Sequence, residues 1–234
     1  MIPVFDEGAK AHGVNVMLAS SAGCLPVAGL EHDARCARFN RRVEQALKPQ
    51  AVSDVVLVAH WSLYLYGDAK GDLGHVLKNP DGHYDRAIAE QRLADGLRTR
   101  VAQLRAGGHR VWLVKEAPLQ AFSPPYRLTR LAMLARPVDD VGLALAEHHK
   151  RQAFISQLFA QLAQDPAVQV VDPAPRLCDA SGLCRAERGG YSLYTDDNHL
   201  SEVGARFVAP ILEPLFVSLQ ARANPGKPQV NASR

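Results

Sequence analysis

Apolar residues in this chain fall into two alternating patterns. One is a set of short unbroken runs. Asp54-Val55-Val56-Leu57-Val58-Ala59-His60-Trp61 is the clearest: β-branched and apolar, as expected of a central parallel strand covered on both faces. Residues 110–115 (Arg-Val-Trp-Leu-Val-Lys), Val168–Val171 and the shorter run 14–18 predict further strands. The other pattern repeats every three or four positions. It predicts helices over 2–12, stopped by Gly13, and over 35–47, through Phe39, Val43, Ala46 and Leu47. It continues over 88–106, ended by Gly107-Gly108, over a short stretch at 128–135, and over 146–163. A final helix carries Val203, Phe207, Val208, Ile211, Leu215 and Leu219, with Pro210 and Pro214 expected to bend or interrupt it.

Strand and helix therefore alternate along the chain, which predicts a doubly wound α/β sheet with helices on both faces. Such folds usually begin with a strand, whereas this chain begins with a helix. Residues 66–84 are rich in Gly and Asp and read as a surface loop. There is no internal repeat. The expected organisation is one domain over 1–222 and a disordered tail over 223–234, where Pro, Gly, Asn and Ser predominate.

Composition narrows the class. The chain has 234 residues, 47% hydrophobic and 22% charged, enough for one domain with a substantial core. A net charge of +3, scattered along the chain, gives no footprint for nucleic acid. No apolar run approaches the ~20 residues of a membrane helix, and the first residues lack the pattern of a signal peptide. The four cysteines form two local pairs, Cys24 with Cys36 and Cys178 with Cys184. Four cysteines allow three connectivities, of which local closure is the simplest. Two bridges imply an oxidising compartment, and the alternative is four reduced, half-buried thiols. An extracytoplasmic chain without an export signal is consistent with a piece of a longer, membrane-anchored protein. Neither pair has metal or redox spacing, and no metal or bound cofactor is expected.

The chemistry is concentrated in Tyr194-Thr195-Asp196-Asp197-Asn198-His199-Leu200-Ser201-Glu202-Val203-Gly204. Acyl transfer from a serine needs an imidazole to take the hydroxyl proton and a carboxylate to hold that imidazole's tautomer. Asp196, three residues before His199, can do this within one turn. Ser201 then reads as a helix cap, with Glu202 suited to the helix's positive end. Asp-x-x-His alone is also what a plain acidic turn with a surface histidine looks like. Other groups read as structural: His148-His149 as helix surface, Arg127 and Arg130 as a solvated helix face, Asp172 as a turn former. His75 and His83 flank a loop without ligand partners.

Tyr194-x-Asp196-x-x-His199-Leu200-Ser201-x-x-Gly204-Ala205 resembles the last block of the SGNH/GDSL hydrolases. More closely, it resembles the SGNH domain fused behind integral-membrane O-acyltransferases that modify bacterial surface polysaccharides. Three other stretches carry the same resemblance. Ser21-Ala22-Gly23-Cys24-Leu25-Pro26, with Cys36 and Phe39-Asn40 following, resembles the second block. The run from Asp54 to Trp61 followed by Tyr64 resembles the central strand and the Trp-containing third block. Cys178 and Cys184 match that family's second cysteine pair.

The resemblance implies a three-layer, flavodoxin-like parallel sheet and Ser-His-Asp chemistry, with His199 as base and then acid and Asp196 orienting it. Gly23 becomes a candidate oxyanion donor through its backbone N–H, and Trp61 a candidate sugar- or acyl-facing residue; a turn glycine and a core aromatic are the plainer readings. The family's first block, a Gly-Asp-Ser-His turn between the first strand and helix, has no counterpart here. Ser20, Ser21, Ser62 and Ser192 lie in no strand–turn–helix elbow. The expectation is a chain that starts downstream of its own nucleophile and lacks the first, central strand. Expected partners are a cell-surface glycan acceptor, an acyl donor and an upstream membrane acyltransferase domain, in a periplasmic, membrane-tethered setting. Two functions follow: an acyltransferase or carbohydrate esterase, or a catalytically inactive glycan-binding accessory domain.

Overall fold

The structure is a computed structural model, and it describes residues 2–30, 34–47, 52–79 and 81–223. The first half contains α1 (Ile2–His12), α2 (Ala34–Leu47), β1 (Asp54–Val58), α3 (Leu63–Tyr66), α4 (Arg86–Ala106) and β2 (Arg110–Val114). Then come α5 (Pro124–Met133), β3 (Gly142–Ala144), α6 (Leu145–Leu162), β4 (Val168–Val171) and α7 (Ala174–Leu177). The chain closes with β5 (Leu183–Arg185), β6 (Glu187–Arg188), β7 (Tyr191–Ser192), α8 (Glu202–Val208), a 3-10 turn at Ala209–Leu212, and α9 (Glu213–Ala223). Residue 223 ends α9, and the rest of the expected tail lies outside the described residues.

The main sheet is parallel, in the order β1-β2-β4. Val56 pairs with Trp112, and Leu113 with Val170. Alternation along each strand divides the core. Leu57, Val111, Leu113 and Val168 face Leu93, Leu97 and Val101 of α4 and Ile155, Leu158 and Phe159 of α6. Trp112, Val114 and Val171 face the other way, against Val4 and Ala9 of α1 and Leu215 and Phe216 of α9. The result is three layers, helices–sheet–helices, as the alternating pattern predicts. Beyond the sheet, a smaller cluster of Val141, Leu177, Ala186, Leu193, Tyr194 and Val208 supports the loops that carry the Asp-x-x-His stretch. The short strands β3, β5, β6 and β7 belong to this region; they are too short for a periodic signal.

Two expectations change. Residues 14–18 form no strand. Val14 packs against the core below the sheet, but Val16, Met17 and Leu18 are exposed, the last at 59%. A strand needs a neighbour for its N–H and C=O groups, and among the described residues nothing pairs with this run. β1, with a central-strand sequence, is likewise paired on one side only among the described residues, and Val58 at its end is 44% exposed. His148 is the second change: it is buried at 4% exposure rather than on the helix surface. The interruption expected from Pro210 occurs where the last helix breaks, at Ala209–Leu212, while Pro214 fits the first turn of α9.

Candidate active site

In a parallel sheet all carboxyl ends lie on one edge, which is where such folds place ligands. Here β1 ends into Ala59 and His60, β2 into Lys115 and Glu116, and β4 into Asp172. This edge is polar. Lys115 Nζ lies 2.9 Å from Asp172 Oδ2, and Asp172 Oδ1 accepts from the N–H of Ala174, so Asp172 is a turn former that also holds a lysine. His148 lies near this pair, and burial drives its pKa down to about 4.

The loop 195–201 is built to hold one imidazole. Tyr194 and Leu200 form a bridge, and the N–H of Thr195 donates to the carbonyl of His199 at 2.8 Å. Within this closed turn Asp196 Oδ1 accepts from the N–H groups of Asn198 at 2.9 Å and His199 at 2.7 Å. Asp196 Oδ2 faces His199 Nδ1 at 2.7 Å. Partial burial alone would raise the Asp196 pKa; the backbone donors and the imidazole outweigh it and hold the carboxyl below its ordinary range. The carboxylate therefore selects the Nδ1–H tautomer of neutral His199 and leaves Nε2 as the acceptor. The side chain is 75% exposed, and among the described residues nothing hydrogen-bonds Nε2.

Helix α8 fixes the loop from behind. Ser201 Oγ accepts from the Gly204 N–H at 3.0 Å and donates to the Ser192 carbonyl at 2.7 Å, so the predicted cap is present. Gly204 is needed because a Cβ there would overlap the Leu193 carbonyl. From the front, the Gln120 N–H donates to the carbonyl of Asp197 at 2.7 Å.

Both cysteine pairs are disulfides, Cys24–Cys36 and Cys178–Cys184. The first closes the loop carrying Gly23, which is exposed with φ +70°, a conformation suited to glycine. That loop lies beside Arg35 and His75, the latter in edge contact with Tyr64 of α3. No hydrogen bond among the described residues joins Gly23 to His199.

Trp61 is not a substrate-facing residue. It is fully buried, stacks edge-on against Phe159, and donates its indole N–H to the Val114 carbonyl at 2.8 Å. A core position is what an aromatic directly after a central strand acquires when the next helix covers it. Arg127 and Arg130 are exposed, as expected, with Arg127 over the Phe122 ring. Two of the serines are otherwise engaged: Ser62 is buried with its Oγ bonded to Arg151 at 2.7 Å, and Ser192 Oγ donates to the Tyr194 carbonyl. None of the described serines hydrogen-bonds His199.

Periodicity alone gave no weight to Glu116 or Arg151. Glu116 is buried, accepts from the Ser62 N–H at 3.0 Å and pairs with Gln152 of α6. The available signal was position: a charged residue directly after an apolar parallel strand sits at the ligand edge.

With an acid–base pair in a loop at the carboxyl edge of a three-layer sheet, the comparison with known families is decisive. The model of the SGNH domain fused to AT3 domains matches residues 1–214. The chain belongs to this SGNH family. Among solved structures, this SGNH domain is similar to the periplasmic domain of a Salmonella ser. Paratyphi A lipopolysaccharide acetyltransferase. The TM-score is 0.61 at 14% identity, over 92% of this chain and 78% of that one. A crystal structure of a candidate acylhydrolase from Bacteroides fragilis aligns at TM-score 0.48 and 14% identity, over 94% of this chain and 81% of that one. No curated protein matches the SGNH domain significantly. Among the described residues no helix is long and apolar enough to cross a membrane.

Proposed function

We propose that this SGNH domain performs serine-type acyl transfer in the O-acylation, most often acetylation, of cell-surface polysaccharide, with ester hydrolysis as the related outcome. The observation that carries this reading is the Asp196–His199 pair, with Nδ1 bound and Nε2 open. Family membership supports the expected partner, a membrane acyltransferase domain, and the similar lipopolysaccharide acetyltransferase periplasmic domain supports a periplasmic setting.

The nucleophile is a serine from outside the described contacts of His199. The support is the edge of β1, which nothing pairs with among the described residues, together with the exposed Val16, Met17 and Leu18 that follow α1. A further parallel strand seated on β1 would end on the same edge as His60, Glu116 and Asp172. A Gly-Asp-Ser-His turn at its end would carry the serine there. His199 takes the serine proton as the oxygen attacks the acyl carbonyl, and returns it to the leaving group. It then takes the proton of the sugar hydroxyl, or of water, and hands it to the departing serine oxygen. Asp196 stabilises the imidazolium in both halves without becoming protonated itself.

The test is turnover of p-nitrophenyl acetate by the full-length protein with and without His199→Ala. Loss in the variant supports acyl transfer. Equal turnover by a folded variant favours the inactive glycan-binding module instead.

A further inference from the structure

The site described above uses one histidine, yet a second carboxylate–imidazole pair sits at the same sheet edge. His60 follows β1 directly, and its side chain is only 18% exposed. Its Nε2 is buried, has no hydrogen-bond partner among the described residues and lies 3.7 Å from Glu116 Oε2. Glu116 is fixed by the Ser62 N–H and by Gln152, and Arg151 clamps Ser62 through Nε at 2.7 Å. A charge buried this well and tied on several sides is held for a partner, because leaving it unpaired is costly.

The pair is joined to the Asp196–His199 loop by covalent and hydrogen-bonded steps. Glu116 and Gln120 belong to the one loop after β2, and Gln120 holds the Asp197 carbonyl at 2.7 Å. Glu116 lies 3.7 Å from His60 Nε2, and Arg151, His199 and Asp197 are near enough to act on the ring electrostatically. Burial dominates and favours the neutral ring. The Glu116 carboxylate 3.7 Å from Nε2 favours the neutral tautomer with its proton on Nε2, which leaves Nδ1 as an acceptor.

We propose that His60, backed by Glu116, is an acceptor-binding residue that takes a hydrogen bond from a hydroxyl of the sugar beside the one being acylated. This rests on the acyl-transfer reading. His60 exchanges no proton in the step. The acyl carbon–serine oxygen bond breaks as the acyl carbon–sugar oxygen bond forms, and His199 carries the sugar proton to serine. His60 biases the acyl-enzyme toward sugar and away from water.

The test uses the full-length protein with p-nitrophenyl acetate as donor and methyl glucoside, galactoside, mannoside, rhamnoside and N-acetylglucosaminide as acceptors. Transfer and hydrolysis products are quantified separately. His60→Phe is expected to lower transfer at least about tenfold, the size of one lost hydrogen bond. Hydrolysis should change by less than about threefold, since a folded acyl-enzyme still forms. His60→Gln, which keeps an acceptor, should recover part of the transfer. A parent that transfers to none of the glycosides overturns the proposal. Equal loss of transfer and hydrolysis in both variants, or no change in either, also overturns it. Loss of all acyl turnover in His199→Ala alongside an unaffected His60→Phe sinks this proposal alone, whereas an active His199→Ala sinks the reading beneath it.

Discussion

The backbone N–H of Gln120 donates to the carbonyl of Asp197 at 2.7 Å, and this bond ties the loop after β2 to the loop that carries Asp196 and His199. The acid–base pair is thereby locked to the carboxyl edge of the sheet rather than hanging from α8 alone. Precision of this kind matters in acyl transfer, where small misplacements of a base cost large factors in rate.

Asp196 Oδ2 lies 2.7 Å from His199 Nδ1, and in the proposed reaction it holds the tautomer. Asp196→Asn keeps the shape and one acceptor oxygen but removes the charge that stabilises the imidazolium. In the full-length protein it is expected to lower kcat by ~10³-fold or more with a smaller effect on KM. Steady-state kinetics on p-nitrophenyl acetate reads both parameters; a change in KM alone would assign Asp196 to substrate binding.

Trp61 belongs to the core. Trp61→Phe removes the indole bond to the Val114 carbonyl and leaves a buried acceptor without its partner. The expected cost is about 1–3 kcal/mol in denaturant unfolding. KM per folded molecule should not move; a raised KM at unchanged stability would return Trp61 to the substrate.

The sequence made the parallel sheet, its two helical layers and the Asp-x-x-His pair legible, because each has a local signature. Unbroken apolar runs mark buried parallel strands, and a carboxylate, a histidine and a capping serine fall within six consecutive residues. What was not legible depends on neighbours. The run 14–18 has strand chemistry but no partner in the described residues, so its periodicity did not become a strand. Trp61 was placed by Phe159 of the helix packed against it, and His148 by the sheet edge with Asp172 and Lys115, neither of which a local pattern records. The pair of His60 and Glu116 joins residues 56 positions apart and appears only when β1 and β2 lie side by side.

Burial holds His148 neutral, with a pKa lowered to about 4. The unfolded chain takes up a proton as pH falls through ~6.5, whereas the folded one does so only near 4. This contribution to stability is complete above the unfolded value and is lost as pH falls toward 4, by about 3 kcal/mol at most. His148→Phe should flatten the pH dependence of unfolding free energy between pH 7 and 5 relative to the parent. Parallel curves for parent and variant would remove His148 from the pH response.

Met17 and Leu18 are exposed at 52% and 59%, and among the described residues nothing pairs with the outer edge of β1. Such surfaces associate. Met17→Lys with Leu18→Lys should reduce self-association of the isolated chain in sedimentation velocity. Unchanged sedimentation across concentrations would show that this run does not drive association.

The account stands on His199 as the proton carrier of acyl transfer. Its most direct test is the rate of p-nitrophenyl acetate turnover by the full-length protein, compared with His199→Ala at matched folded concentration. The predicted result is a fall of ~10³-fold or more. A folded His199→Ala protein that retains the parent rate within about twofold would contradict the account.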